Sequence, residues 1–223
     1  MADRYLRRNF KPKTYHHIFN RGCFKQKIYR KKKDYEVFID ILKYYLHYPA
    51  LSPLSKLSAT KLKGVKQPAL PYQLLAYCLM PNHFHLLLKQ VEAAPTLSDF
   101  LKKISITYAM YFQHQYHHSG ALFQGKFKSA QVYPDEGLLY VSKYIHLNPK
   151  ELEGSDPSDY PYSSLRDYFN GTSKDWLHPE IIFQLYFPKA SRPQLQYRNY
   201  VQIPSNPEKE TILRKMEGSD PSD

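Results

Sequence analysis

Cysteine, tryptophan and glycine are scarce in this chain, which has two, one and eight of them among 223 residues. The two cysteines, Cys23 and Cys78, match no redox or metal-binding spacing, and two are too few for a disulfide framework. No apolar run approaches the roughly 20 residues of a membrane-spanning helix, and residues 1–13 are basic and lack the apolar segment of a signal peptide. We therefore expect a protein of the reducing cytoplasm that does not associate with a membrane.

Acidic residues are also few, and the chain carries positive charge instead. It has 32 Lys and Arg against 20 Asp and Glu, which gives a formal net charge of +12. The excess is concentrated in residues 1–34, which hold twelve Lys and Arg but only two Asp. Such an excess attracts a polyanion, although residues 31–33 alone are explained by a solvated face. Aromatic rings beside cations suit the stacking of unpaired bases, and the basic residues of this segment are interleaved with Tyr5, Phe10, Tyr15 and Phe24.

Two histidines, His83 and His85, lie in an apolar run, 77–91, that has the pattern of a buried strand. Successive side chains of a strand alternate between its faces, so both imidazoles project from one face while Phe84 faces the other. Such a pair is explained either by histidines hydrogen-bonded on a wet sheet face or by two ligands of a divalent metal ion. Two histidines completed by one amide or carboxylate would leave positions open for a substrate oxygen, which favours a catalytic site.

The predicted elements follow the order strand, helix, strand, strand, helix, strand. A helix begins at Lys33, where apolar residues recur at three and four, and Thr96 is the predicted N-cap of a second helix that ends near His117. Residues 50–71 are rich in Pro, Ser and Lys and predict a long solvated connection. The order is that of a split βαβ sandwich, a ferredoxin-like or RRM-like α+β fold with an antiparallel sheet and helices on one face. The predicted strands are 14–20, 72–79, 83–91 and one within 122–133.

A third helix is predicted from Pro134 to about Pro149. Tyr140, Tyr144 and Asn148 are spaced by four and share one of its faces. Tyr144 is explained either as an amphipathic tyrosine at a helix boundary or as a nucleophile. A hydroxyl can attack a phosphodiester when a metal ion polarises the phosphate, and Asn148 one turn later can supply a further ligand oxygen.

The C-terminal residues 151–223 predict a helical, partly flexible extension. An amphipathic stretch covers 181–187 and the remainder is rich in proline. The sequence Glu-Gly-Ser-Asp-Pro-Ser-Asp occurs at 153–159 and again at 217–223, a repeat to which we assign no chemistry. A separate cluster at the end of the second helix is expected to face solvent or phosphate rather than a metal ion: His114, His117 and His118.

Five sequence blocks together resemble the REP-associated tyrosine transposases, which are bacterial relatives of the single-strand insertion-sequence transposases in the HUH endonuclease superfamily. The blocks occur in the family order between residues 14 and 170, which makes them far more specific than a lone His-x-His. One departure is Lys126, near which the family usually has an arginine with a different donor geometry. The blocks are NRG at 20–22, LMPNHFHLLL at 79–88, GALFQGKF at 120–127, KYIHLNP at 143–149 and DYPYSS at 159–164.

The resemblance implies a metal-dependent endonuclease and strand transferase that acts on single-stranded DNA next to hairpins formed by palindromes. His83 and His85 match the HUH pair, Tyr144 matches the nucleophile, and Asn148 matches an amide ligand of Mg²⁺ or Mn²⁺. Attack by Tyr144 would leave a 5′-phosphotyrosine link and a free 3′-hydroxyl. The catalytic domain is expected over 14–150, after a basic arm at 1–13. The residues expected to bind DNA are Arg4, Arg7, Arg8, Lys11, Lys13, Arg21, Lys126 and Lys128.

Two other functions stay open at this point. A domesticated hairpin-binding protein would keep the same fold and bind DNA hairpins without cleaving DNA. An RNA-binding module of the same topology would need exposed aromatic residues on the central strands. The oligomeric state is open between monomer and homodimer, and the sequence does not define the hairpin that is recognised.

Overall fold

Four antiparallel strands in the order β2-β3-β1-β4 form the centre of the protein. The structure, a computed structural model, describes residues 10–48, 70–93, 95–135, 137–172 and 174–217. The first nine residues of the basic arm and nearly all of the predicted connection at 50–71 therefore lie outside the described residues. The strands are β1 (Thr14–Arg21), β2 (Tyr72–Met80), β3 (His83–Gln90) and β4 (Lys128–Val132).

Helices follow the strands in the predicted β-α-β-β-α-β order, so the α+β split βαβ prediction is confirmed. Two short 3-10 helices, Cys23–Lys25 and Asn148–Glu151, lie between the larger elements. Within the described residues the α-helices are α1 (Lys32–His47), α2 (Leu97–Tyr116), α3 (Gly137–Leu147), α4 (Leu165–Asn170), α5 (Pro179–Tyr186), α6 (Pro193–Gln202) and α7 (Pro207–Glu217).

Helices α1 and α2 cover one face of the sheet, as predicted. Phe84, Leu86 and Leu88 of β3 point to this face and share a buried core with both helices. α2 begins at its predicted cap, because the Thr96 hydroxyl accepts a hydrogen bond from the backbone N–H of Asp99 while the Asp99 carboxylate accepts one from the N–H of Thr96.

The second face of the sheet is covered as well, which the sequence pattern alone did not show. Leu87 of β3 points to this face and packs in a second buried core with α3 and the helices that follow it. A bulge in β2 between Leu74 and Ala76 turns both Leu75 and Ala76 toward this core. β3 is therefore buried on both faces, and its polar side chains must find partners inside the protein.

Helices α6 and α7 lie in the proline-rich end and confirm that the C-terminal extension is helical, although no bounds were predicted for them. They begin at Pro193 and Pro207. Proline is tolerated in the first helical turn, where a backbone N–H has no intrahelical acceptor, so these prolines start helices and do not break them. In the part of the chain that the structure describes, no helix is long and apolar enough to cross a membrane.

A buried polar network fixes α3 against the sheet and α6. The imidazole of His146 on α3 hydrogen-bonds through Nδ1 to the Tyr197 hydroxyl at 2.8 Å and through Nε2 to the Ser164 hydroxyl at 2.7 Å. Ser164 Oγ also accepts a hydrogen bond from the backbone N–H of Tyr77 on β2 at 2.9 Å. Since both ring nitrogens have partners, this network fixes the rotation of α3 about its own axis.

Asp34, a buried residue at the start of α1, joins this helix to α2. Its carboxylate accepts hydrogen bonds from the backbone N–H groups of Arg30 and Lys31 and from the hydroxyls of Tyr111 and Tyr116, at distances of 2.6–3.0 Å. Burial alone would raise the pKa of Asp34, but these hydrogen bonds outweigh it and lower the pKa.

We expect Asp34→Asn to lower the free energy of unfolding by about 2–3 kcal/mol at pH 7, because it replaces a charged acceptor of four hydrogen bonds. A depressed pKa contributes stability above the unfolded value of about 3.9 and loses it as the pH falls through the folded value. The difference from the parent protein should therefore shrink below about pH 4. Urea unfolding measures both effects, with Asp40→Asn on the exposed side of α1 as a control that changes stability by less than about 0.5 kcal/mol. Equal losses for the two variants would contradict this role of Asp34.

Candidate active site

Three imidazoles from two neighbouring strands meet on the face of the sheet that α3 covers. His83 and His85 lie on β3 with ring centroids 4.9 Å apart. His17 on β1 stacks against His85 at 5.3 Å, and its Nε2 shares a hydrogen bond with Nδ1 of His85 at 3.1 Å. His83 Nδ1–H donates to Asn82 Oδ1 at 2.6 Å. Both β3 histidines thus use Nδ1 for a neighbour in the protein, and Nε2 is the ring nitrogen suited to an ion.

Burial keeps these imidazoles neutral. It lowers the pKa of His83 to about 4 and the pKa of His17 to about 3. The pKa of His85 is also lowered, first by burial and then by the nearby His83, His17 and Arg21. Hydrogen bonding with the Asn148 side chain opposes the shift at His83 and His85 but does not reverse it. Since only a neutral imidazole binds a metal ion, the pair is held in the form that a ligand needs.

Tyr144 and Asn148 approach the histidines from α3 and the short helix that follows it. The ring of Tyr144 lies 6.1 Å from the ring of His85 and 6.0 Å from that of His17, in edge-to-face orientation. Asn148 Nδ2 donates to the backbone carbonyl of Tyr144 at 3.0 Å. Since the amide nitrogen is used in this bond, the amide oxygen is the atom left for the interaction of Asn148 with the two imidazoles.

The chemistry of this donor set fits a divalent cation that also binds a substrate. Neutral imidazoles and an amide oxygen are groups that can bind divalent cations, and a set of three would leave positions for oxygen atoms from outside the protein. Among the described residues no three His, Cys, Asp or Glu side chains converge to hold a metal ion. A metal site formed by His83 and His85 would therefore need a third protein ligand of another kind, such as the amide of Asn148.

A cleft of about 480 Å³ opens beside Tyr144 and Asn148 and is closed on its other side by α7. Arg214 of α7 lines it and pairs with Glu151 at 3.2 Å and Glu210 at 3.0 Å. Burial alone would lower the pKa of Arg214, but the hydrogen bond to Glu210 and the proximity of Glu151 and Tyr144 raise it. A guanidinium thus stays charged next to the phenol.

The expected DNA-binding residues divide into two groups. Arg21 pairs with His83 across β1 and β3, and Lys128 pairs with Phe19 on the same face, so both lie beside the histidines. Lys126 is exposed in the loop before β4, whose Gly125 carbonyl accepts a hydrogen bond from Asn20. Lys11 and Lys13 are exposed at the other end of β1, about 23 Å along the strand. Arg4, Arg7 and Arg8 lie outside the described residues.

Sequence reasoning missed His17, because its partner on β3 is 68 residues away in the chain. The signal that could have found it is the register of β1 on β3, which places His17 beside Leu87 and on the same face as His85. Of the cluster at the end of α2, His114 and His117 are exposed and His118 packs against Phe112. That this cluster faces solvent or phosphate and holds no metal ion stays a prediction.

Comparisons with known proteins bear on these residues. The family model described as "Transposase IS200 like" matches residues 61–148, a range that contains His83, His85, Tyr144 and Asn148. Among solved structures, "Structure of the REP associates tyrosine transposase bound to a REP hairpin" matches with a TM-score of 0.51 and 18% identity, over 75% of this chain and 87% of that chain. The resemblance to these transposases is confirmed. At 18% identity the structural match shows the shared fold, and no curated protein matches the chain at a significant level.

The neutral histidines of this transposase-like fold predict a steep loss of stability on mild acidification. Burial lowers the pKa of five of them below the unfolded value of about 6.5, namely His16, His17, His83, His85 and His146. Below pH 6.5 the unfolded chain therefore binds more protons than the native one, and each such histidine lowers stability by up to about 1.4 kcal/mol per pH unit. Urea unfolding at pH 7, 6 and 5 should show this decline, and a free energy of unfolding that stays constant would contradict it.

Proposed function

We propose that this protein is a metal-dependent endonuclease and strand transferase that cleaves single-stranded DNA beside a hairpin, with Tyr144 as its nucleophile. The observation that carries the proposal is the convergence of Tyr144, from α3, and Asn148, from the short helix that follows it, onto His83 and His85 of β3. A phenol close to three side chains that can bind a metal ion is the set of groups that phosphodiester transesterification requires. The match to the IS200-like transposase model supports the same reaction class.

In this proposal the two imidazoles and the Asn148 amide would hold Mg²⁺ or Mn²⁺. The ion would supply Lewis-acid polarisation of the scissile phosphate and stabilisation of the charge that develops there. The Tyr144 hydroxyl gives its proton to solvent water and its oxygen forms a bond to phosphorus, while the bond from phosphorus to the 3′-oxygen breaks. That oxygen takes up a proton from water and leaves as a free 3′-hydroxyl, and the 5′-phosphate stays on Tyr144.

Neighbouring residues have two further roles in this proposal: some orient the imidazoles, and others contact the DNA backbone. His17 orients the ring of His85 through the bond between Nε2 and Nδ1, and Asn82 does the same for His83. Arg214 in the cleft and Arg21 and Lys128 beside the histidines place positive charge where a DNA backbone would enter. We propose residues 14–150 as the catalytic unit and 151–223 as an extension whose last helix lines the cleft.

The adduct between protein and DNA is the direct test. Purified protein is mixed with an end-labelled hairpin that carries a single-stranded extension, in the presence of Mn²⁺ or Mg²⁺, and labelled protein is sought after denaturation. We expect an adduct with the parent protein, none with Tyr144→Phe, and unchanged hairpin binding by that variant. His83→Ala should lose cleavage because the ion loses a ligand.

Tyr140→Phe is the matched control, because Tyr140 lies one turn earlier on α3 and donates its hydroxyl to the Asn206 carbonyl. It should form the adduct as the parent does. An adduct with Tyr144→Phe would show that another residue is the nucleophile. Hairpin binding without any adduct, in either ion, would instead favour a domesticated binding protein.

The basic residues near the pocket predict a strongly salt-dependent affinity. Neutralising each phosphate of a single strand contributes a slope of about −0.7 in log K against log salt. Lys126→Ala and Lys128→Ala should each make the slope shallower by about that amount, whereas Lys102→Ala on the exposed side of α2 should not change it. Binding measured from about 50 to 200 mM salt, where such effects are large, tests this. If all three variants show the same slope of log K against log salt, the DNA does not contact Lys126 or Lys128.

A further inference from the structure

Phe24 is far more exposed than any other large apolar side chain of the described residues. Its side chain is 96% exposed, and the next, Tyr133, is 60% exposed. The other described aromatics of the basic segment behave differently, since Tyr15 is buried and Phe10 packs against His16 and Phe127. Among the described aromatics of this segment, Phe24 is thus the ring that is presented to solvent.

The backbone that carries Phe24 is strained. Phe24 and Lys25 have φ of 52° and 56°, in the left-handed region that residues with a Cβ seldom adopt. Two consecutive residues in that region persist only where the surrounding structure imposes them, and such strain clusters at functional sites. A loop without a function for its ring would be more stable with glycine at this position.

A tight set of hydrogen bonds imposes this conformation. The backbone N–H groups of Gly22 and Cys23 donate to the carbonyls of Asn82 and Leu122 at 2.8 and 2.9 Å, and the N–H of Gln26 donates to the carbonyl of Cys23 at 3.0 Å. Gly22 is required here, since a Cβ at this residue would lie 2.2 Å from the Gln26 carbonyl oxygen. The loop is therefore rigid, and it holds the phenyl ring outward.

Asn82 connects this loop directly to the candidate metal site. Its Nδ2 donates to the carbonyl of Lys25 at 3.3 Å, and its Oδ1 accepts the hydrogen bond from His83 Nδ1 at 2.6 Å. One amide side chain thus contacts both the residue after Phe24 and a proposed metal ligand. A base stacked on Phe24 would therefore be held by the same framework that orients His83.

The charge around Phe24 matches a nucleic acid and not an apolar protein partner. From residue 14 to residue 33 the chain has seven Lys and Arg and no Asp or Glu. Arg21 lies beside His83, and Lys25 and Lys27 flank the ring in sequence. A phenyl ring among cations offers a π-face to a base while the cations meet the adjacent phosphates.

We propose that Phe24 is a stacking platform for one unpaired base of single-stranded DNA that runs into the site of Tyr144. The proposal rests on the proposed function, because it names the position at which the substrate strand is held. The occupant is a base outside any duplex, because a base within a duplex is already stacked on both of its faces.

The test compares two DNA probes, a hairpin with a single-stranded 5′ extension and the same hairpin with a blunt end. Phe24→Ala should weaken binding of the extended hairpin by about 10-fold to 100-fold, the range for loss of one stacked base. Binding of the blunt hairpin should stay within about twofold. A 2-aminopurine placed in turn at each extension position should lose fluorescence at one position with the parent protein and keep it with Phe24→Ala.

Matched variants separate aromatic stacking from apolar contact and from a change in loop stability. Phe24→Tyr keeps an aromatic face and should bind as the parent does, whereas Phe24→Leu keeps only apolar area and should bind like Phe24→Ala. Phe24→Gly should lose binding while unfolding at the same or a higher temperature, because it relieves the positive φ. Met110→Ala, at an exposed apolar residue of α2, should change nothing.

Two results would overturn the proposal: extended-hairpin binding by Phe24→Ala that equals the parent's, or equal losses for both probes. These binding assays need neither cleavage nor metal. If the parent protein forms no phosphotyrosine adduct but Phe24→Ala loses extension binding, the proposed reaction fails while the stacking site stands. If the adduct forms and the Phe24 variants bind normally, the reaction stands and the stacking site fails.

Discussion

The position of α3 against the sheet is the constraint on which the rest of the site depends. This helix carries Tyr144, and Asn148 follows directly after its end. The imidazole of His146 is hydrogen-bonded through both nitrogens, to the hydroxyl of Tyr197 on α6 and to the hydroxyl of Ser164. Ser164 in turn accepts a hydrogen bond from the backbone of β2. The C-terminal helices therefore do more than extend the fold, because without Tyr197 one of the two bonds that fix the rotation of α3 would be lost.

The second constraint is the central position of β3 between β2 and β1. A strand buried on both faces has no solvent to satisfy a histidine, so His83 and His85 depend on Asn82 and His17 for their hydrogen bonds. These partners orient both rings before any ligand arrives. The same Asn82 joins the rigid Phe24 loop to the site, so the proposed strand-holding and cleaving groups share one framework.

Much of this arrangement could be predicted from local sequence. The alternation of a strand gives the shared face of His83 and His85, and the four-residue period of a helix gives Tyr144 and Asn148. His17 could not be found in this way, because its contact depends on the register of strands far apart in the chain. The sequence likewise did not show which aromatic residues of the basic segment are exposed. Phe24 is exposed and Tyr15 is buried, and this difference depends on the loop geometry with its left-handed φ at Phe24.

Direct observation of an ion in the pocket would test the central claim that the two imidazoles, the Asn148 amide and Tyr144 act together. Crystals of the protein grown or soaked with Mn²⁺ can be measured at the manganese absorption edge. We predict an anomalous peak within bonding distance of Nε2 of His83, Nε2 of His85 and Oδ1 of Asn148, on the side that faces Tyr144. An anomalous peak at another position, with these three atoms hydrogen-bonded only to other protein atoms, would contradict the account.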